Sequence, residues 1–160
     1  MKKIKSAREV KKYLEFMISI FDGTSGLTDK ELYELGYHKG SYGGRTYIRS
    51  YNHKDNICLN TNKYQLTKTR LDKMLKFVDE AIKQGFYGQV RFSDTYDNGM
   101  WAYSRLDNEN NRFPNEGVAL YHSFSSDENY WQVILNVKTN QRTDRMMRNE
   151  MRKYLKENNI

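Results

Sequence analysis

Cys58 lies between Ile57 and Leu59 and is the chain's only cysteine. A thiol becomes a nucleophile only when a base such as His53 or His122 generates the thiolate. No spacing ties either histidine to Cys58, and a small buried hydrophobe in a strand is the plainer reading of it. The three histidines and one cysteine would hold zinc only if all four converged, and no paired spacing suggests it. Metal-dependent nucleases bring two or more carboxylates onto a cation, often beside a lysine. Asp94, Asp107 and Glu109 are the candidates for such a group. No Asp followed by Glu-x-Lys runs along a strand, Glu9-Val10-Lys11 sits at a helix start, and Asp serves turns for local hydrogen-bonding reasons. Gly40-Ser41-Tyr42-Gly43-Gly44-Arg45 lacks the Lys-Ser/Thr ending and following helix of a phosphate loop. The chain therefore reads as a non-enzyme, with no catalytic residue, metal or cofactor assigned.

Binding chemistry is easier to find. Between Gly36 and Lys54 the tyrosines Tyr37, Tyr42, Tyr47 and Tyr51 alternate with His38, Lys39, Arg45, Arg49 and His53. Aromatic faces and guanidinium groups stack on bases while Lys and Arg meet phosphates, as in single-strand binders. The same residue types dominate protein interface hot spots, and Tyr is also a good strand former whose ring can cover a core. A second basic group lies near the end, where Arg145, Arg148, Arg152 and Lys156 share one side of a helical wheel and Met147, Met151, Tyr154 and Leu155 the other. It reads as a helix packed by its Met/Tyr/Leu side with a solvated basic side, open to a phosphate or acidic partner. The candidate partner-binding residues are thus Tyr42, Arg45, Tyr47, Arg49, Arg145, Arg148, Arg152 and Lys156.

The elements that would position these residues follow from caps and periodicity. Ser6 with Glu9 forms a capping box ahead of Val10, Leu14, Met17, Ile18 and Phe21, which predicts a helix from Ala7 to about Phe21. Thr28 with Glu31 opens a short helix, stapled by Leu27 and Leu32 and ended at Gly36. Gly36 to Gly44 reads as a loop, and Arg45 to Tyr51 as a strand pairing with Asn56 to Asn60 in a ribbon that could extend the main sheet. Leu71, Met74, Leu75, Val78, Ala81 and Ile82 give the strongest helical period, from Thr67 or Thr69 to Gly85. Asn98-Gly99 suits a two-residue hairpin loop, pairing Tyr96 with Trp101, Asp94 with Tyr103 and Phe92 with Arg105 and turning an aromatic face inward. A second hairpin sets Val118, Leu120, His122 and Phe124 against Trp131, Val133, Leu135 and Val137, and the last helix begins after Thr139 or Thr143. The fold class is α+β: an antiparallel sheet of two hairpins, with a possible third ribbon, packed against three to four helices.

A chain of 160 residues suits one domain over 1–160 and can bury a core without disulfide or metal. With one cysteine, no secretory leader and no apolar run long enough to span a membrane, a cytoplasmic setting is expected. The net charge of +7 is concentrated at the ends, since residues 1–15 and 138–160 each carry +4. Residues 87–137 carry −4, so a phosphate backbone would be drawn to the ends and repelled from the hairpin tips.

Taken whole, a short chain rich in Tyr, Asn, Lys and Met resembles the small proteins of Gram-positive phages and mobile elements. More narrowly it is similar to anti-CRISPR proteins of staphylococcal type, inhibitors of type II RNA-guided nucleases. The residues carrying this resemblance are Met1 to Lys12, Gly36 to Tyr51 and Met146 to Lys156. It implies a non-enzymatic inhibitor in the host bacterial cytoplasm whose partner is a type II CRISPR effector nuclease, alone or with its guide RNA. DNA mimics that block a basic target-recognition channel are acidic. This chain has the opposite sign, which directs it to an acidic nuclease-domain surface or to the guide RNA. The alternative is a nucleic-acid-binding accessory or transcriptional protein of a mobile element.

Overall fold

The computed structural model describes residues 6–42, 45–50, 67–93, 99–106, 117–124, 129–137 and 139–160. Helix α1 (Ala7–Asp22) starts where the Ser6 hydroxyl accepts the Glu9 N–H at 3.3 Å, and ends at Gly23, whose φ of +70° suits glycine. Ala7, Val10, Leu14, Met17 and Ile20 recur every three or four residues, so one stripe is buried. Helix α2 (Asp29–Glu34) is short and held by a reciprocal box: Thr28 Oγ1 accepts from Glu31 N–H, and Glu31 Oε1 accepts from Thr28 N–H, each at 3.2 Å. Helix α3 (Lys68–Lys83) is capped by Thr67 and buries Leu71, Met74, Phe77, Val78 and Ala81. All three lie within a residue or two of their sequence-based bounds.

The Gly36 to Gly44 reading is corrected. Strand β1 (Tyr37–Tyr42) pairs with β2 (Arg45–Ser50), Lys39 opposite Ile48 and Tyr37 opposite Ser50. This register puts Tyr37 and Ile48 on one face, and both are buried. The Tyr37 ring meets Phe16 of α1 edge-on at 5.4 Å. The ribbon thus gains apolar footing on α1, and among the described residues it forms its own two-stranded sheet rather than an extension of the main one. The Asn56 to Asn60 strand lies outside the described residues.

The main sheet comprises β3 (Val90–Ser93), β4 (Gly99–Tyr103), β5 (Ala119–Ser123), β6 (Tyr130–Asn136) and β7 (Gln141–Arg142), antiparallel in that order, with β8 (Met146–Met147) also on β6. Its first hairpin departs from the sequence reading. Ser93 faces Gly99, Phe92 faces Met100 and Val90 faces Ala102, so Gly99 is a strand residue, and the expected partners Tyr96 and Asp94 lie outside the described residues. The cause sits at the other end of the strands. The Gly88 N–H donates to Tyr103 O at 2.9 Å, and the Tyr103 N–H donates to Gln89 O at 2.8 Å. A Cβ on Gly88 would lie 2.2 Å from the Arg105 carbonyl carbon. Only glycine allows this approach, and it holds Arg105 away from Phe92. The offset from the expected register is odd, so the β4 residues change face relative to β3: Met100 and Ala102, not Trp101 and Tyr103, share the core side with Val90.

The second hairpin keeps its expected inward residues, with Leu120 opposite Val133 and Trp131 in the same core, but Val137 lies on the other face with Tyr121 and Ile134, after a register shift between Ile134 and Asn136. The last helix starts later than expected. Thr143 does not open it but closes the outer edge of β6, its Oγ1 accepting the Val133 N–H at 3.1 Å and its own N–H donating to Val133 O at 2.9 Å. Helix α4 (Arg148–Glu157) then buries Met151 and Leu155. Met100, Ala102, Leu120, Trp131 and Val133 join the buried stripes of α1, α3 and α4 in one core. The opposite sheet face carries a second cluster of Tyr103, Ala119, Tyr121 and Ile134, with Trp101 and Val137 against it and no helical residue among those described. No helix among the described residues is long and apolar enough to cross a membrane.

Candidate nucleic-acid interface

Cross-strand partners share a face, so the register lines up Arg91, Trp101, Tyr121 and Gln132 across β3 to β6 on the face away from the helices. Tyr121 lies against Gly99, where a Cβ would come within 2.6 Å of the ring. The glycine gives the ring its place beside Trp101, at 5.0 Å between centroids, and Trp101 in turn stacks on Tyr103 at 6.4 Å. Two exposed arginines complete the surface. Arg142 of β7 sits with Cζ 5.6 Å from the Trp101 ring and 5.3 Å from Tyr121, and Arg145 lies 4.6 Å from the Tyr130 ring. A hollow of about 200 Å³ between Tyr121, Ser123, Tyr130, Gln132 and Arg145 opens there. Stacking on a ring fixes the plane of a guanidinium and leaves its N–H edge for phosphate or carboxylate oxygens.

The basic residues singled out near the C-terminus are divided by the fold. Arg145 precedes α4 and belongs to this face. Arg152 turns to α3, its Nη2 3.2 and 3.3 Å from the two carboxylate oxygens of Glu80, while Arg148 Nε is 3.9 Å from Glu80 and its Cζ 5.5 Å from the Trp131 ring. Glu80 is 4% exposed and also accepts from Gln84 at 2.9 Å. The basic side of α4 is therefore partly a clasp, not a solvated arc. Lys156 remains on its exposed surface. The signal for the clasp was present: Glu80 stands three residues after Phe77 and beside Ala81, an acid bordering an apolar stripe.

In the ribbon, the register puts positions Tyr42, Arg45, Tyr47 and Arg49 together on the face opposite to that of Tyr37 and Ile48. Gly40 is paired with Tyr47 in this ribbon. His122 is buried; its Nδ1–H donates to Tyr130 O at 2.7 Å and its ring stacks on Trp131 at 4.5 Å. His53, Cys58, Asp94, Asp107 and Glu109 lie outside the described residues. Among the described residues no group of three or more His, Cys, Asp or Glu could hold a metal ion. Trp101 was missed because the hairpin register expected from Asn98-Gly99 turned it and Tyr103 toward the helices, and Tyr121, Tyr130 and Arg142 were missed because they meet it only where β4 to β7 lie side by side. Met100 and Ala102 alternate with Trp101 and Tyr103 as small or flexible apolar residues, which was the available sign of the true inner face.

No family model, no curated protein and no solved structure matches the chain.

Proposed function

We propose that this chain is a non-enzymatic inhibitor of a type II CRISPR RNA-guided nuclease, acting in the host bacterial cytoplasm, and that the arginine–aromatic sheet face is what engages its target. The carrying observation is the placement of Arg142 and Arg145 over Trp101, Tyr121 and Tyr130. Flat cations held on rings suit the guide RNA's phosphates and unstacked bases, or carboxylates at an acidic nuclease-domain surface. The ends of the chain, +4 each, have the matching sign. Co-purification with a panel of type II effectors, followed by cleavage assays at equimolar protein, tests it: binding and loss of cleavage are expected with at least one effector. Absence of both across the panel would sink the proposal.

The same face favours a second reading, a nucleic-acid-binding accessory or transcriptional protein, because half-buried Trp101 and Tyr130 beside exposed arginines are what single-strand binders present. That reading predicts an electrophoretic shift with DNA or RNA alone that weakens steeply as salt rises. No shift at low salt removes it.

A further inference from the structure

Side chains alternate along β5 and β6, so Tyr121 and Ser123 of β5 and Tyr130 and Gln132 of β6 fall on the face away from the helices. Between them opens the hollow that Arg145 also lines. It holds about 200 Å³, and about 450 Å³ counted out to its mouth, against about 30 Å³ for a water molecule in the liquid, so a planar ring system fits inside. Arg145 is exposed, lies with Cζ 4.6 Å from the Tyr130 ring, and is held by no ion pair among the described residues. No acidic side chain lines the hollow among those residues. Tyr121, 3% exposed, serves as its floor. Gln132, half-buried and paired across the strands with Tyr121, brings an amide whose oxygen accepts and whose nitrogen donates side by side.

We infer that this hollow takes one unpaired nucleobase of a nucleic-acid strand, with the strand's phosphate on Arg145. The inference rests on the proposed role of the sheet face, and it favours nucleic acid over an acidic nuclease-domain surface as what that face grips. A carboxylate would meet Arg145 but leave most of the hollow unfilled, and it has no donor for the Gln132 carbonyl oxygen. A base fills a ring-sized space, lies flat against a wall built of a ring and a guanidinium, and offers both donors and acceptors on its edge to the Gln132 amide. The N–H edge of Arg145 is left for the phosphate joined to that base. A base held inside a duplex has neither its face nor its pairing edge to offer, so the ligand is single-stranded. The same base and phosphate occur in a guide RNA and in a displaced DNA strand, which differ in the 2′-hydroxyl.

The test follows the full chain by fluorescence anisotropy with labelled short probes: an RNA strand, DNA of the same sequence, an abasic strand with the same number of phosphates, and an acidic peptide of equal charge. The base-bearing strand should bind at least about fivefold more tightly than the abasic one, the lower end of what one stacked base contributes, and the peptide should bind no better than the abasic strand. Tighter binding of the RNA identifies the guide as the source of the base, and tighter binding of the DNA identifies the displaced strand. Gln132→Leu, which keeps the bulk and removes the amide, should weaken the base-bearing strand about fivefold and leave the abasic strand unchanged, a split that a merely structural role does not produce. Arg145→Ala, at an exposed position, should weaken both strands. If the abasic strand binds as tightly as the base-bearing one, if the acidic peptide binds more tightly than either, or if no strand binds, the inference is overturned. That failure beside intact inhibition of an effector leaves the inhibitor proposal standing, whereas strand binding with no effector inhibited sinks the inhibitor proposal alone.

Discussion

Glu80 is the residue on which the packing of α4 turns. A carboxylate 4% exposed is tolerable only because Arg152 meets both its oxygens, with Arg148 and Gln84 nearby. Removing one partner of a buried pair costs more than the pair's net worth, because the other charge stays behind. Arg152 is half exposed, so water moderates the loss. Arg152→Ala, which leaves Glu80 buried, is expected to lower unfolding free energy by about 2–3 kcal/mol, and Lys156→Ala by under about 0.5 kcal/mol, in urea denaturation. Equal effects would show that the clasp contributes nothing. Gly88 makes a sharper case: with a Cβ 2.2 Å from the Arg105 backbone, Gly88→Ala must push β3 and β4 apart. A loss of about 3 kcal/mol or more is expected, and a melt unchanged from wild type would contradict the register described.

At the level of elements, the helices were legible in the sequence because their signals are local. Ser6, Thr28 and Thr67 cap helices within a few residues of their own positions, and the apolar stripes of α1 and α3 need no distant partner to be seen. The β3–β4 register was not legible, because Gly88 and Arg105 stand 17 residues apart and only their contact rules out the shorter loop. The start of α4 was hidden for a similar reason, since Thr143 serves an edge of β6 that the local sequence does not reveal. Ion pairs also join α1 to α3: Lys11 to Asp79 at 2.7 Å and Lys68 to Asp22 at 2.5 Å. Each carboxylate, first by hydrogen bonding and then by charge, raises its lysine's pKa from 10.5. A raised lysine pKa gives stability that is complete below 10.5 and lost as pH climbs through the folded value. The wild type's margin in melting temperature over Lys11→Met/Lys68→Met should therefore be constant at neutral pH and shrink above pH 10.5. A margin that persists there would mean the pairs are not formed.

For the whole molecule, the layout of charge was readable from the sequence, but not the surface that charge belongs to. Arg145 was visible as a candidate, whereas its neighbours Arg142, Trp101 and Tyr121 come together only once β4, β5, β6 and β7 are side by side. The helices cover one face of the sheet and leave the other to rings and arginines, which is the basis of the proposed recognition. The most direct measurement titrates guide-loaded effector with wild type, with Arg142→Glu/Arg145→Glu, and with Lys12→Glu/Lys30→Glu, which changes the net charge equally at exposed helical positions. The account predicts stoichiometric inhibition of cleavage by the wild type and the lysine variant, and inhibition weakened by orders of magnitude in the arginine variant, since each charge-assisted contact is worth about 1.5–3 kcal/mol. Inhibition that survives loss of both arginines, or falls equally in the lysine variant, would contradict it.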